Sequence, residues 1–232
     1  MTDPMSQSSN TGSTPPLHFW IRLTVSTLAI LLSLLVLLAQ GYRFYQMLQT
    51  HTPLLELLKL LLVLCFYLLL VTFFIIRKPT QDSSLKADHW FFALSGTLLP
   101  FALKPVYEAP WSVPLSLAGV DYVGVGFQMV GLLLTVVSLG TLGRGFGIIA
   151  ARRDIKTQGL YRLVRHPLYM AEGLCILGMT LNFLSLGTLL LFVLQTLCQV
   201  QRIREEEQLL ARDADYASYL HQVRYRLFPG VY

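Results

Sequence analysis

Apolar residues run along this chain in blocks of membrane-helix length, separated by short polar breaks. The pattern predicts spans over Leu17–Ala39, Leu54–Ile76, His89–Leu103 and Gly119–Leu142, followed by two shorter runs, Pro167–Leu181 and Leu184–Val200. A helix needs about 20 apolar residues to cross a bilayer, and the last two runs each fall a little short. They predict a helical hairpin, with Asn182 and Phe183 at its tip and Ser185 and Gly187 just beyond supplying turn chemistry.

Composition agrees with that pattern. Apolar residues make up 54% of the chain and charged residues 13%, where a soluble domain carries about twice that charged fraction. The expected fold class is an all-α integral membrane protein, a multi-span helix bundle with a C-terminal helical hairpin. Residues 1–16 are rich in Ser, Thr, Pro, Gln and Asn, without a basic start or a small-residue cleavage site. They read as a disordered cytosolic tail rather than a signal peptide. The expected organisation is that tail, a four-span bundle over 17–142, and a region over 143–232 that carries the hairpin and a C-terminal amphipathic segment. Cys65, Cys175 and Cys198 all sit inside apolar runs, at spacings that suggest neither zinc nor a redox pair, so no metal is expected. No nucleic-acid partner is expected either.

Basic residues orient the spans, because cytoplasmic loops carry excess Lys and Arg. Arg77, Lys78 and Lys86 fall in the second connection; Arg144, Arg152, Arg153, Lys156, Arg162 and Arg165 crowd the fourth; Arg202, Arg204, Arg212, Arg224 and Arg226 follow the hairpin. The opposite loops hold only Arg43 and Lys104. Both termini are therefore expected in the cytoplasm, and the setting is read as a bacterial inner membrane.

Two polar clusters stand out against this background. The first is Gly159-Leu160-Tyr161-Arg162-Leu163-Val164-Arg165-His166-Pro167-Leu168-Tyr169, at the start of an apolar run. Proline suits the first helical position, and the free N–H groups after it favour a carboxylate or phosphate. Arg165, Tyr169 and Glu172 recur at i, i+4 and i+7 and share one helix face, with His166 flanking it. A glutamate inside an apolar hairpin marks a functional candidate unless it reaches interfacial water. The glycine-rich stretch Gly143–Gly147 before this cluster lacks the strand and helix context of a nucleotide fingerprint.

The second cluster, Arg202-Ile203-Arg204-Glu205-Glu206-Glu207, follows the hairpin's second arm. On a continuing helix Gln199, Ile203, Glu206 and Leu210 form one stripe, so Glu206 is expected on the apolar face, ion-paired with Arg202 one turn earlier. Glu205 and Arg204 are expected to face solvent. A hairpin would set the two clusters side by side. The guest they suit has an anionic end for Arg165, His166 and the helix mouth, a cation or hydroxyls for Glu172, Glu206 or Glu207, and a flat π-surface for the tyrosines. S-adenosylmethionine has all of these.

These residues resemble the isoprenylcysteine carboxyl methyltransferase family of integral-membrane methyltransferases. The likeness covers Gly143 to Tyr232, through Gly159-x-Tyr161-x-x-x-Arg165-His166-Pro167-x-Tyr169, Asn182, Arg202-x-x-x-Glu206-Glu207 and the pair Tyr216, Tyr219. The resemblance implies an S-adenosylmethionine-dependent enzyme with a cytosol-facing cofactor pocket and a lipophilic or lipidated substrate drawn from the membrane. It assigns cofactor binding to Arg165, His166 and Tyr169, with Tyr161 and Asn182 beside them, and places Arg202 and Glu206 near the reacting groups; Pro167, Glu172 and Glu207 join the expected cofactor set from the reading of the two clusters above. The chain departs from the family at Ala211-Arg212-Asp213-Ala214-Asp215, where a Phe-Gly-containing turn is usual. That leaves the acceptor open between a prenylcysteine-like carboxylate and a phospholipid amine. The ending Tyr219-x-x-x-Val223-x-Tyr225-Arg226-x-x-Pro229-x-x-Tyr232 also looks like that of NADPH-dependent membrane sterol reductases, and a non-catalytic membrane subunit is a third reading.

Overall fold

The computed structural model describes residues 17–76, 87–143, 156–211 and 213–231. The 1–16 tail, the basic connection with Arg77, Lys78 and Lys86, and Arg144, Arg152, Arg153 and Arg212 lie outside these residues. All regular elements among the described residues are helical: α1 (Leu17–Leu48), α2 (Leu54–Ile76), α3 (Ala87–Leu98), α4 (Leu103–Tyr107), α5 (Val120–Leu142), α6 (Pro167–Asn182), α7 (Leu186–Leu210) and α8 (Ala214–Gln222). Short 3₁₀ turns cover Leu99–Ala102 and Gly159–Arg162. This is an all-α integral membrane protein, in which α1, α2, α5 and α7 are each long and apolar enough to cross a bilayer.

The helix ends differ from the hydropathy reading where a helix outruns its apolar stretch. No strong breaker stands between Ala39 and Pro53, so α1 continues through Gln40, Arg43 and Gln46 to Leu48. The third run is broken instead of continuous, because Pro100 enters at the first turn of a 3₁₀ segment and splits it into α3 and α4. The second hairpin arm is a full-length helix. Ser185 and Thr188 close a capping box, Thr188 N–H donating to Ser185 Oγ at 3.2 Å and Ser185 N–H to Thr188 Oγ1 at 2.9 Å. From that cap α7 runs past Val200 into the charged cluster, 25 residues in all.

The expected packing of the two arms also needs correction, since α6 makes its closest backbone approach to α5 rather than to α7. Glycines permit this. A Cβ on Gly178 would lie 2.4 Å from the Gly124 carbonyl oxygen, and one on Gly131 would lie 2.6 Å from the Cys175 amide nitrogen. Both obstacles are backbone, which cannot swing aside. Gly178→Ala is therefore expected to cost about 1–3 kcal/mol of stability through overpacking, read as a fall in the melting temperature of the purified protein. Toward α7, α6 is bridged by long polar side chains, and those carry the chemistry.

Candidate active site

The site is built where the start of α6 meets the end of α7. His166 is the N-cap residue of α6 and Pro167 its first residue; the cap has no side-chain hydrogen bond, and the first intrahelical bond is Met170 N–H to His166 oxygen at 3.1 Å. The backbone N–H groups of Leu168 and Tyr169 thus lie before the helical ladder begins, aimed out of the helix mouth. An extended C-terminal strap fixes the residues before it. Arg165 N–H donates to Tyr225 oxygen and His166 N–H to Arg226 oxygen, each at 2.9 Å, and Arg165 Nη2 donates to Arg224 oxygen at 3.1 Å.

Glu207, near the end of α7, is the hub of the outer half of the site. Its Oε1 meets Arg165 Nη1 at 2.9 Å and His166 Nε2 at 3.2 Å, and its Oε2 meets Arg226 Nη2 at 2.8 Å and Nε at 2.9 Å. Cations outnumber carboxylates here. Arg165 Nε is buried and has no hydrogen-bond partner, so one donor of that guanidinium is left over.

The inner half has the opposite balance. The Arg202 guanidinium lies 4.9 Å from the centre of the Tyr169 ring and donates to Gln199 Oε1 at 2.9 Å, while Gln199 Nε2 donates to Glu172 Oε2 at 2.8 Å. Tyr169 in turn stacks on His166, with ring centres 5.7 Å apart, so the two halves are continuous. Three carboxylates, Glu172, Glu206 and Glu205, lie within electrostatic reach of Arg202. Of these, Glu206 also faces His166, Oε2 to Nδ1 at 3.9 Å.

Outside the membrane-spanning helices, Tyr161, Tyr216 and Tyr219 close the cluster from the side of α8. Burial pushes the phenol of Tyr161 well up, with nearby Glu206 adding to it, and burial raises Tyr216 in the same way. Tyr219 is pushed up to about 12 by burial, against the opposing pull of Arg165. Each therefore stays protonated at neutral pH. Tyr219 uses its hydroxyl on the Tyr161 carbonyl at 2.7 Å, which ties α8 to the Gly159–Arg162 turn. Tyr219→Phe is expected to destabilise this contact by about 1 kcal/mol, seen as faster proteolysis of the C-terminal segment.

Tyr161, Arg165, His166, Pro167, Tyr169, Glu172, Arg202, Glu206 and Glu207 are thus brought to one place. Asn182 is not. It sits 13 positions beyond Tyr169 on α6, about 20 Å along the helix. There its amide spans the α5–α6 seam, donating to the Gly178 and Asp121 carbonyls and accepting from Gln128. Glu205 departs from expectation as well: it is only 4% exposed and accepts from Gln201 Nε2 at 3.2 Å, while Arg204 is exposed as foreseen. The cause is that α7 packs against both α3 and α6, so its buried face takes in the row of Cys198, Arg202 and Glu205 beside the stripe through Gln199 and Ile203. Arg202 also donates to Gln199, and Glu206 also faces His166, so the pair expected between them sits in a wider set of contacts. Sequence reasoning passed over Gln199 as a site member and Arg226 as the second arginine on Glu207. Gln199 did stand on the stripe, but a residue in an irregular strap has no helical period to reveal it.

No curated protein matches the chain. Residues 120–213, from the start of α5 to just beyond α7, match the family model of the phospholipid methyltransferases. The family that this segment matches belongs to the superfamily of integral-membrane methyltransferases, as do the isoprenylcysteine carboxyl methyltransferases.

Proposed function

We propose that this protein transfers a methyl group from S-adenosylmethionine to the amine of a membrane-embedded phospholipid. The observation that carries the choice of acceptor is the placement of Arg202, over the Tyr169 ring and bonded to the Gln199 amide, across that same amide from Glu172, with Glu206 nearby against His166. An incoming carboxylate would lie beside Glu172 and Glu206 there. An ammonium group, or a zwitterion that offers a phosphate to Arg202 and an amine to Glu172 or Glu206, meets complementary charge. The match to phospholipid methyltransferases supports the same acceptor.

The outer half suits the cofactor's amino-acid end. The uncapped start of α6 and Arg165 Nε are donors that make no hydrogen bond among the described residues, and a carboxylate would satisfy them. When bound, S-adenosylmethionine supplies a methyl carbon already activated by sulfonium. What remains for the protein is alignment, exclusion of water and handling of one proton. Tyr169 offers an aromatic face between the two halves. The acceptor amine must lose a proton as its nitrogen bonds to carbon, and Glu206 or Glu172 is the base that takes it.

The test is to incubate the purified protein with methyl-labelled S-adenosylmethionine and vesicles of phosphatidylethanolamine, with a prenylated cysteine analogue as competitor. Label is expected in the lipid headgroup. Label confined to the prenylcysteine carboxylate would replace the amine reading, and binding of NADPH without S-adenosylhomocysteine would replace the methyltransferase reading.

A further inference from the structure

We propose that Gln199 is a positioning residue that holds Arg202 and Glu172 apart across the α6–α7 gap, so that both charges remain available to a zwitterionic acceptor. The inference rests on the function proposed above. One primary amide does two opposite things here: its N–H donates to Glu172 Oε2 at 2.8 Å and its oxygen accepts from Arg202 Nη1 at 2.9 Å. Glutamate at this position would repel Glu172, and lysine would repel Arg202. An apolar side chain would leave the guanidinium and the carboxylate free to collapse onto each other, since an ion pair is the cheapest way to keep two charges in an apolar bundle.

The amide is itself held in place. Gln199 is 6% exposed, and one turn earlier Gln195 Nε2 donates to the Gly96 carbonyl at 2.6 Å, drawing α3 against α7. Gly96 also gives Arg202 its seat, because a Cβ there would lie 2.9 Å from Arg202 Cδ and 3.0 Å from Nη1. With the Tyr169 ring on another side, the guanidinium is bounded by ring, amide and glycine. Glu172 spends Oε2 on the amide.

The experiment compares wild type, Gln199→Met and Gly96→Ala in phosphatidylglycerol nanodiscs doped with phosphatidylethanolamine. It measures S-adenosylhomocysteine affinity, retention of phosphatidylethanolamine by native mass spectrometry, the acceptor KM and kcat, and thermal stability. Methionine matches glutamine in length, so packing is preserved. For both variants the acceptor KM is expected to rise about tenfold or more and lipid retention to fall in step. S-adenosylhomocysteine affinity should stay within about threefold of wild type in both variants, even where the added Cβ or the lost amide bonds lower the melting temperature. A wild-type acceptor KM in Gln199→Met, or a joint loss of S-adenosylhomocysteine binding and thermal stability, would overturn the positioning role. Failure of the wild type itself to bind S-adenosylhomocysteine or to methylate the lipid would instead overturn the underlying function, and is seen before any variant is made.

Discussion

Arg202→Leu is expected to lower methyl transfer by about 10²–10³-fold while S-adenosylhomocysteine still binds, since the proposed function assigns the guanidinium to the acceptor half of the site. Its loss removes a cation from beside Glu172 and Glu206 and strips the face of Tyr169. Lysine should recover little. An ammonium on a flexible stem can neither lie flat over the ring nor donate to Gln199 in the same fork geometry. Steady-state kinetics beside a cofactor titration give the answer: a parallel loss of S-adenosylhomocysteine binding would mean that Arg202 belongs to the cofactor half.

The second large effect is expected from Glu207→Leu. Glu207 is the shared partner of Arg165, His166 and Arg226, and through Arg226 it pins the strap that fixes the backbone of Arg165 and His166. Breaking a buried ion pair costs about 3–5 kcal/mol, and the 35% exposure of Arg226 puts this case toward the lower end. S-adenosylhomocysteine affinity should fall by about 100-fold or more as the helix mouth loses its shape. Glu207→Gln keeps the acceptor oxygen and should lose less. Thermal unfolding and titration of the two variants measure this, and equal losses in both would show that the acceptor oxygen contributes nothing beyond the charge.

Much of the fold was legible in the sequence where one local signal decides the outcome. Residues 54–76 are apolar apart from the Glu56–Lys59 pair and Thr72, between Pro53 and the basic Arg77, and α2 matches them residue for residue. Gly119, at φ 77°, begins α5 where hydropathy placed it. The helix ends that escaped are those set by something other than hydropathy: α1 continuing into polar sequence, the break at Pro100, and α7 carrying its helix through Arg202 to Leu210. The choice of α5 as the close partner of α6 rests on Gly178 meeting Gly124 and on Gly131 meeting Cys175, pairs far apart in sequence, which no local pattern reports.

The site divides along the same line. Arg165, Tyr169 and Glu172 were readable together because helical spacing projects them from one face. Glu205 was misread because a single apolar stripe describes a helix with one covered side, whereas α7 has two. Asn182 was carried over from the family motif without asking how far along α6 it lies. Arg226 depends on a strap that pairs residues 165 and 166 with 225 and 226, a contact that only the assembled chain creates.

The central claim is that the start of α6 and the end of α7 form one cofactor site. Titration of S-adenosylhomocysteine into purified wild type and Arg165→Ala, with unfolding followed on the same samples, tests it most directly. The account predicts binding by the wild type and a loss of about 100-fold or more in Arg165→Ala with the helical fold retained. Undiminished affinity in Arg165→Ala, or a wild type that takes up NADPH and no S-adenosylhomocysteine, would contradict it.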